Sequence, residues 1–139
     1  MKNLLILLSN LLFFNAVCAQ DWKSSQLMDT DILYQRMQDT AKPQILIYNT
    51  GPVENILGAI YIGPVENEKY LKVFKDKVNL VDKNAEIIIY CGCCPLSVCP
   101  NLEPAYGYLL ESGFQSFKIL NIIEGIDEDW ISKGYPIGP

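Results

Sequence analysis

Apolar positions along this chain follow two periods, and the two alternate. In "TDILYQRMQ", residues 30–38, Ile32, Leu33, Arg36 and Met37 share one helical face behind Thr30 or Asp31 as a cap. "QILIYN", residues 44–49, is the short apolar run of a buried strand and stops at Gly51-Pro52. "GAIYIG", residues 58–63, repeats that pattern and closes at Gly63-Pro64. The pentapeptide GPVEN occurs at 51–55 and again at 63–67, which reads as shared turn chemistry because solenoid repeats need periods of about 20 residues or more. In "NEKYLKVFKDKV", Tyr70, Leu71, Phe74 and Val78 recur at spacings of three and four, with charged residues on the other face, so an amphipathic helix is expected.

The most continuous apolar run after the N-terminal segment is "AEIIIY", residues 85–90, the pattern of a strand buried on both faces. "NLEPAYGYLLESGF" then predicts a helix that starts at Asn101, carries Pro104 in its first turn and ends at Gly113. "FKIL" is a further strand, and "GIDEDWISKGYP" a short closing helix stopped by Gly134 and Pro136. Strands alternating with helices predict an α/β domain on a mostly parallel sheet. Sites in such sheets form beyond the carboxyl ends of central strands, and Cys91 stands there, directly after the most buried strand.

Composition narrows the function. The chain has 139 residues, half of them hydrophobic, enough for one core and one domain. "MKNLLILLSNLLFFNAVCAQ" reads as a secretory leader, with Val17 and Ala19 placed for a cut that leaves Gln20 first. A lipid-modified Cys18 is the rival, less favoured because Val17 before it is large. The apolar stretch is too short for a bilayer, which needs roughly 20 residues, so no integral membrane span is expected. Cleavage leaves ten basic residues facing 16 acidic ones, a surface that suits neither nucleic acid nor an anionic membrane. The expected location is periplasmic or extracellular, where free thiols tend to be oxidised.

With this order in place, four segments resemble the rhodanese-like family of sulfurtransferase domains. "NILGAIYI" is similar to its H-I-P-G-A-x-x-I segment, "IIIYC" to the strand that carries its active cysteine, "YLLESGF" to the helix behind the active loop, and "GIDEDWISKGYPI" to its closing G-x-x-x-W-x-x-x-G-x-P. The resemblance covers residues 30–139, after a leader (1–19) and an N-terminal extension (20–29). It implies a three-layer α/β fold and a thiolate that takes sulfane sulfur from a donor as a persulfide and passes it on. The sequence also departs from the family. Its Asp-x-Arg pair is missing from "IYNTG", Asn55 replaces its histidine, Leu57 replaces its proline, Trp130 comes one residue late after Gly125, and the stretch from Cys91 to Asn101 is longer than its six-residue loop and uncharged.

"CGCCPLSVC" places Cys91, Cys93, Cys94 and Cys99 within nine positions. Cys91 is the expected nucleophile, with the amides of Gly92, Cys93, Cys94, Leu96 and Ser97 as an anion cradle that lowers its pKa without a cation. Without an Arg, a doubly charged donor such as thiosulfate is poorly held, so a small persulfide donor or a protein thiol is the expected partner. No cofactor is called for. Cys91 and Cys94 form a C-x-x-C, and Cys94 is the possible resolving thiol of a dithiol–disulfide exchange. Cys99 paired with Cys93 or Cys94 would staple the long loop, whereas a Cys93–Cys94 bond would be strained. A non-catalytic binding module is the alternative class, its loop locked by a disulfide or holding a soft metal. With no histidine in the chain, zinc would need all four thiolates, and copper(I) fits the crowding better. Asp127, Glu128 and Asp129 read as acids at the start of a helix, not as an acid–base pair. Tyr106 and Tyr108 read as packing residues, either of which stands near enough in sequence to line a pocket.

Overall fold

The computed structural model describes residues 19–139; the expected leader and Cys18 lie outside the described residues. Five strands form one sheet: β1 (Leu27–Asp29), β2 (Leu46–Asn49), β4 (Ile60–Tyr61), β5 (Glu86–Tyr90) and β6 (Ser116–Asn121). Their order is β1-β6-β5-β2-β4, and every pairing between neighbours is parallel. A separate two-stranded antiparallel ribbon joins β3 (Asn55–Ile56) to β7 (Ile137–Gly138). Helices α1 (Thr30–Gln38), α2 (Glu68–Val78) and α3 (Leu102–Glu111) connect the strands, and Asp127–Ile131 forms a single wide turn.

Central β5 shows why this sheet holds. Ile87, Ile88 and Ile89 are fully buried because successive side chains face opposite sides and both sides are covered. Ile87, Ile89 and Cys91 join a cluster with Phe74 and Val78 of α2 and Leu102, Ala105 and Leu109 of α3. Ile88 and Tyr90 join the other cluster, with Leu33 of α1, Ile126 and Trp130. Each such isoleucine contributes roughly 1.5–3 kcal/mol through burial. A register slip of one residue would exchange the two faces, moving Cys91 away from α3.

Local chemistry sets the helix boundaries. Asn67 caps α2 by accepting the Lys69 N–H at 2.9 Å. At α1, neither Thr30 nor Asp31 is the cap: Asp29 holds that position without a side-chain bond, and Asp31 instead accepts from Lys133 Nζ at 2.8 Å and Tyr135 OH at 3.0 Å. Asn101 holds the cap position of α3, yet its side chain does not cap the helix. Among the acids near the chain end, Asp129 gathers the backbone N–H groups of Ile123, Glu124 and Gly125 at 2.7, 2.8 and 3.3 Å, a structural clamp on the loop before it.

The segment before α1 belongs to the packed body. Beyond edge strand β1, the Gln20 N–H donates to Ser97 O at 2.7 Å, and Trp22 Nε1 donates to Leu96 O at 3.3 Å. The Trp22 ring meets Tyr106 edge-on at 5.2 Å. No helix among the described residues is long and apolar enough to cross a membrane.

Candidate functional site

Strand β5 ends at Tyr90, and Cys91 follows at the carboxyl edge of the sheet, beside the turn that leaves β2. That turn is the first GPVEN copy. Thr50 N–H and Oγ1 both donate to Tyr90 O, at 2.8 and 3.0 Å, locking the two strand ends together. Gly51 then passes so close to Cys91 that a Cβ there would lie 2.5 Å from Cys91 O and 2.6 Å from its Sγ. Only glycine fits without displacing the sulfur. Buried Tyr90 braces the same turn, donating its OH to Glu54 O at 3.0 Å and accepting the Ile56 N–H at 2.9 Å, and burial raises its pKa so that the phenol stays neutral.

The second GPVEN copy follows β4, on the far side of β2 from β5. Val65 N–H donates to Thr50 O at 3.2 Å, and Glu66 N–H donates to Asn101 Oδ1 at 2.9 Å. This fixes which way the Asn101 amide points, because its oxygen is occupied and its NH2 must face the other way. There Nδ2 donates to Cys91 Sγ at 3.4 Å, with Asn101 1% exposed. The repeated pentapeptide thus supplies two walls of the cysteine site.

All four thiols converge. The Sγ atoms of Cys91, Cys93, Cys94 and Cys99 lie within 4.8 Å of one another, all unbonded. Cys91 and Cys99 are buried, at 2% and 0% exposure, whereas Cys93 is exposed and Cys94 half-buried. The Cys93 sulfur lies 3.0 Å from that of Cys91 and 3.4 Å from that of Cys94. Cys91 therefore has a thiol contact besides its C-x-x-C partner Cys94.

Hydrogen bonds decide which sulfur carries charge. The Cys99 thiol donates to Cys91, and the Cys93 thiol, the Cys93 backbone N–H and Asn101 Nδ2 add to it. Together they outweigh desolvation and lower the Cys91 pKa to about 6, so it is a thiolate at neutral pH. Cys93 moves the opposite way: its burial and its bond to Cys91 hold its proton on. Cys99 is also held protonated, first by its bond to Cys91 and then by desolvation. Cys91 is thus the anion that Cys93 and Cys99 face as thiols.

Of the expected cradle, the Cys93 N–H reaches the sulfur. Gly92 serves it by a left-handed turn at φ +71°, and its carbonyl accepts the Ile126 N–H at 3.0 Å. Leu96 and Ser97 lie in a short 3-10 turn whose carbonyls receive the N-terminal segment. Tyr106 packs on Trp22 and Phe117, and Tyr108 donates to Asn79 Oδ1 at 2.9 Å, both packing roles. Asn55 accepts from Asn49 Nδ2 at 3.0 Å, and Leu57 is half exposed.

Two cavities frame the choice of site. A shallow one of about 260 Å³ lies against the cysteine loop, between Trp22, Pro95, Leu96 and Ile123. A larger one, about 430 Å³, lies at the amino end of the strands beside Arg36 and Ile45, and its one guanidinium is paired with Glu86 at 2.7 Å. Neither its place in the sheet nor its chemistry competes with the cysteine cluster. Sequence reasoning missed Asn101 and Gly51 as site residues; the signal was the repeated GPVEN turn, whose first copy brings Gly51 to Cys91 and whose second bonds Asn101. Comparison with protein-family models, curated proteins and solved structures finds no match for this chain.

Proposed function

We propose that this is an exported, rhodanese-like protein with a three-layer α/β domain that moves sulfane sulfur through a persulfide on Cys91. The observation that carries the reading is the Cys91 thiolate at the end of the central strand, held by the Cys99 and Cys93 thiols, the Cys93 amide and Asn101. In the forward step the thiolate attacks the outer sulfur of a persulfide donor R–S–SH. The new Cys91–S bond forms as the donor S–S bond breaks, and the released R–S⁻ takes a proton from solvent. An acceptor thiolate then attacks the terminal sulfur, and Cys91 leaves as a thiolate, stable because its pKa is low.

Donor chemistry follows from the sulfur's partners, which are thiols and amides without a cation. Monoanionic persulfides as donors and protein thiols as acceptors match that environment better than a dianionic donor, which calls for a guanidinium. Steady-state transfer from a small persulfide to an acceptor thiol, by the reduced protein and by Cys91→Ser, tests the reading. Loss of transfer in the variant is expected; transfer at an unchanged rate would overturn it.

The 3.0 Å approach of Cys93 favours a second outcome for the same intermediate. The Cys93 thiol can attack the inner sulfur of the Cys91 persulfide, forming a Cys91–Cys93 disulfide as its proton passes to the departing outer sulfur, which leaves as hydrogen sulfide. A dithiol reductant must then restore the site. Cys93, rather than Cys94, is the resolving thiol in this reading.

A further inference from the structure

We propose that Cys91, Cys93, Cys94 and Cys99 together form a thiolate site for one thiophilic d10 cation, zinc(II) or copper(I). This goes beyond sulfur transfer and does not depend on it.

The geometry comes first. Sulfurs at about 2.3 Å from a tetrahedral ion lie about 3.8 Å from one another. Here Cys93 lies 3.0 Å from Cys91 and 3.4 Å from Cys94, and all four sulfurs fall within 4.8 Å. Seating an ion asks each sulfur to move by about 1 Å or less, within reach of χ1 adjustments. Cys91 and Cys94 are spaced C-x2-C, and Cys94 and Cys99 C-x4-C, within the range that closes around one ion, and Cys93 adds a fourth sulfur between the first two.

The cluster is also anchored as a ligand set should be. Cys91 is fixed by the end of β5, and Cys99 by burial immediately before α3, so they form a rigid floor. Exposed Cys93 and half-buried Cys94 close over it from the solvent side and leave a route of entry. Asn101 braces the floor, donating its Nδ2 to Cys91 Sγ at 3.4 Å. Such N–H···S bonds spread the charge of bound thiolates and orient them.

Ligand type selects the cation. The converging group holds sulfur alone, without a carboxylate or an imidazole, which disfavours hard ions such as magnesium and calcium. Each thiol still protonated releases its proton to solvent as the metal–sulfur bond forms. Because Cys91 is a ligand, an occupied site has no free nucleophile, and metal loading and persulfide formation exclude each other.

The test uses the purified protein, reduced and stripped with a chelator. Zinc(II) alone and copper(I) alone are titrated anaerobically against a chromogenic competitor, with X-ray absorption counting the sulfur neighbours. One ion per chain with three or four sulfurs is expected, and whichever ion wins the competition identifies the cation. Changes to outer partners of metal ligands cost about 10–100-fold in affinity, so losing a ligand in Cys99→Ser should cost at least about 100-fold. Because Cys99→Ser removes a buried group, Cys93→Ser and Cys94→Ser are measured beside it, and each should weaken binding. No binding of either ion, two or fewer sulfur neighbours, or unchanged affinity in all three variants would overturn the proposal. Sulfur uptake by the metal-free protein is read separately by mass, so failure of one proposal is distinguishable from failure of the other.

Discussion

Asn101 gives the sharpest perturbation of the site, because one amide holds both the Cys91 sulfur and the second GPVEN turn. Asn101→Ala removes a 3.4 Å donor from a thiolate. A hydrogen bond to a charged group contributes about 1.5–3 kcal/mol, and at this length the lower figure applies. At about 1.36 kcal/mol per pKa unit, losing about 1.5 kcal/mol raises the Cys91 pKa by about one unit, from about 6 to about 7. The thiolate fraction at pH 6 then falls from about one half to about one tenth, a fivefold slower reaction, whereas at pH 8 the change is nearly invisible. The assay is alkylation of Cys91 in the reduced, metal-free protein across pH 4–9, located by peptide mass spectrometry. The sign is fixed by the acid: reactivity rises with pH through the folded-state pKa, so the whole curve shifts to higher pH. Asn101→Asp keeps the acceptor for Glu66 N–H and puts a negative charge beside the sulfur, so it should shift the curve further. The freed Glu66 N–H costs about 1 kcal/mol of stability at most, since water can reach it. An unshifted alkylation curve in folded Asn101→Ala would refute the assignment of Asn101 as a donor to the thiolate.

Gly51→Ala places a methyl 2.6 Å from Cys91 Sγ, so overpacking should cost about 1–3 kcal/mol in urea unfolding and slow Cys91 alkylation; full stability and reactivity would mean the two turns are not in contact. Trp22→Ala removes both the bond to Leu96 O and the ring on Tyr106, so hydrogen exchange across residues 92–98 should accelerate while that of β5 holds, at a stability cost of about 1–3 kcal/mol. Trp130→Ala empties a fully buried site and removes one of the two donors to Pro136 O, for an expected loss of about 3–5 kcal/mol in denaturant melts; a loss under about 1 kcal/mol would contradict the packing described.

The regular elements were legible because their signals are local. The period of Ile32, Leu33, Arg36 and Met37 marks α1, and the alternation of Tyr70, Leu71, Phe74 and Val78 with charges marks α2. Three consecutive isoleucines at 87–89 mark a strand buried on both faces, which places Cys91 at the carboxyl edge of the sheet. Elements defined by distant partners were not legible. Leu27–Asp29 is too short to read as a strand and exists through its pairing with Ile119–Asn121, while β3 and β7 join residues some 80 positions apart. The site divides in the same way. The cysteines are visible as a string, but their convergence depends on how the loop curls, which brings Cys93 within 3.0 Å of Cys91. Asn101 looks like a helix cap from its place before "LEPAYGYLLE", and only the fold turns its side chain to the sulfur.

The most direct test of the central claim is the location of added sulfur. The reduced, metal-free protein is treated with a small persulfide donor, its intact mass is followed, and the modified peptide is sequenced before and after an acceptor thiol is added. The account predicts one added sulfur atom on Cys91 that disappears with the acceptor. Cys91 left unmodified, with sulfur absent or carried only by the exposed Cys93 and Cys94, would contradict it.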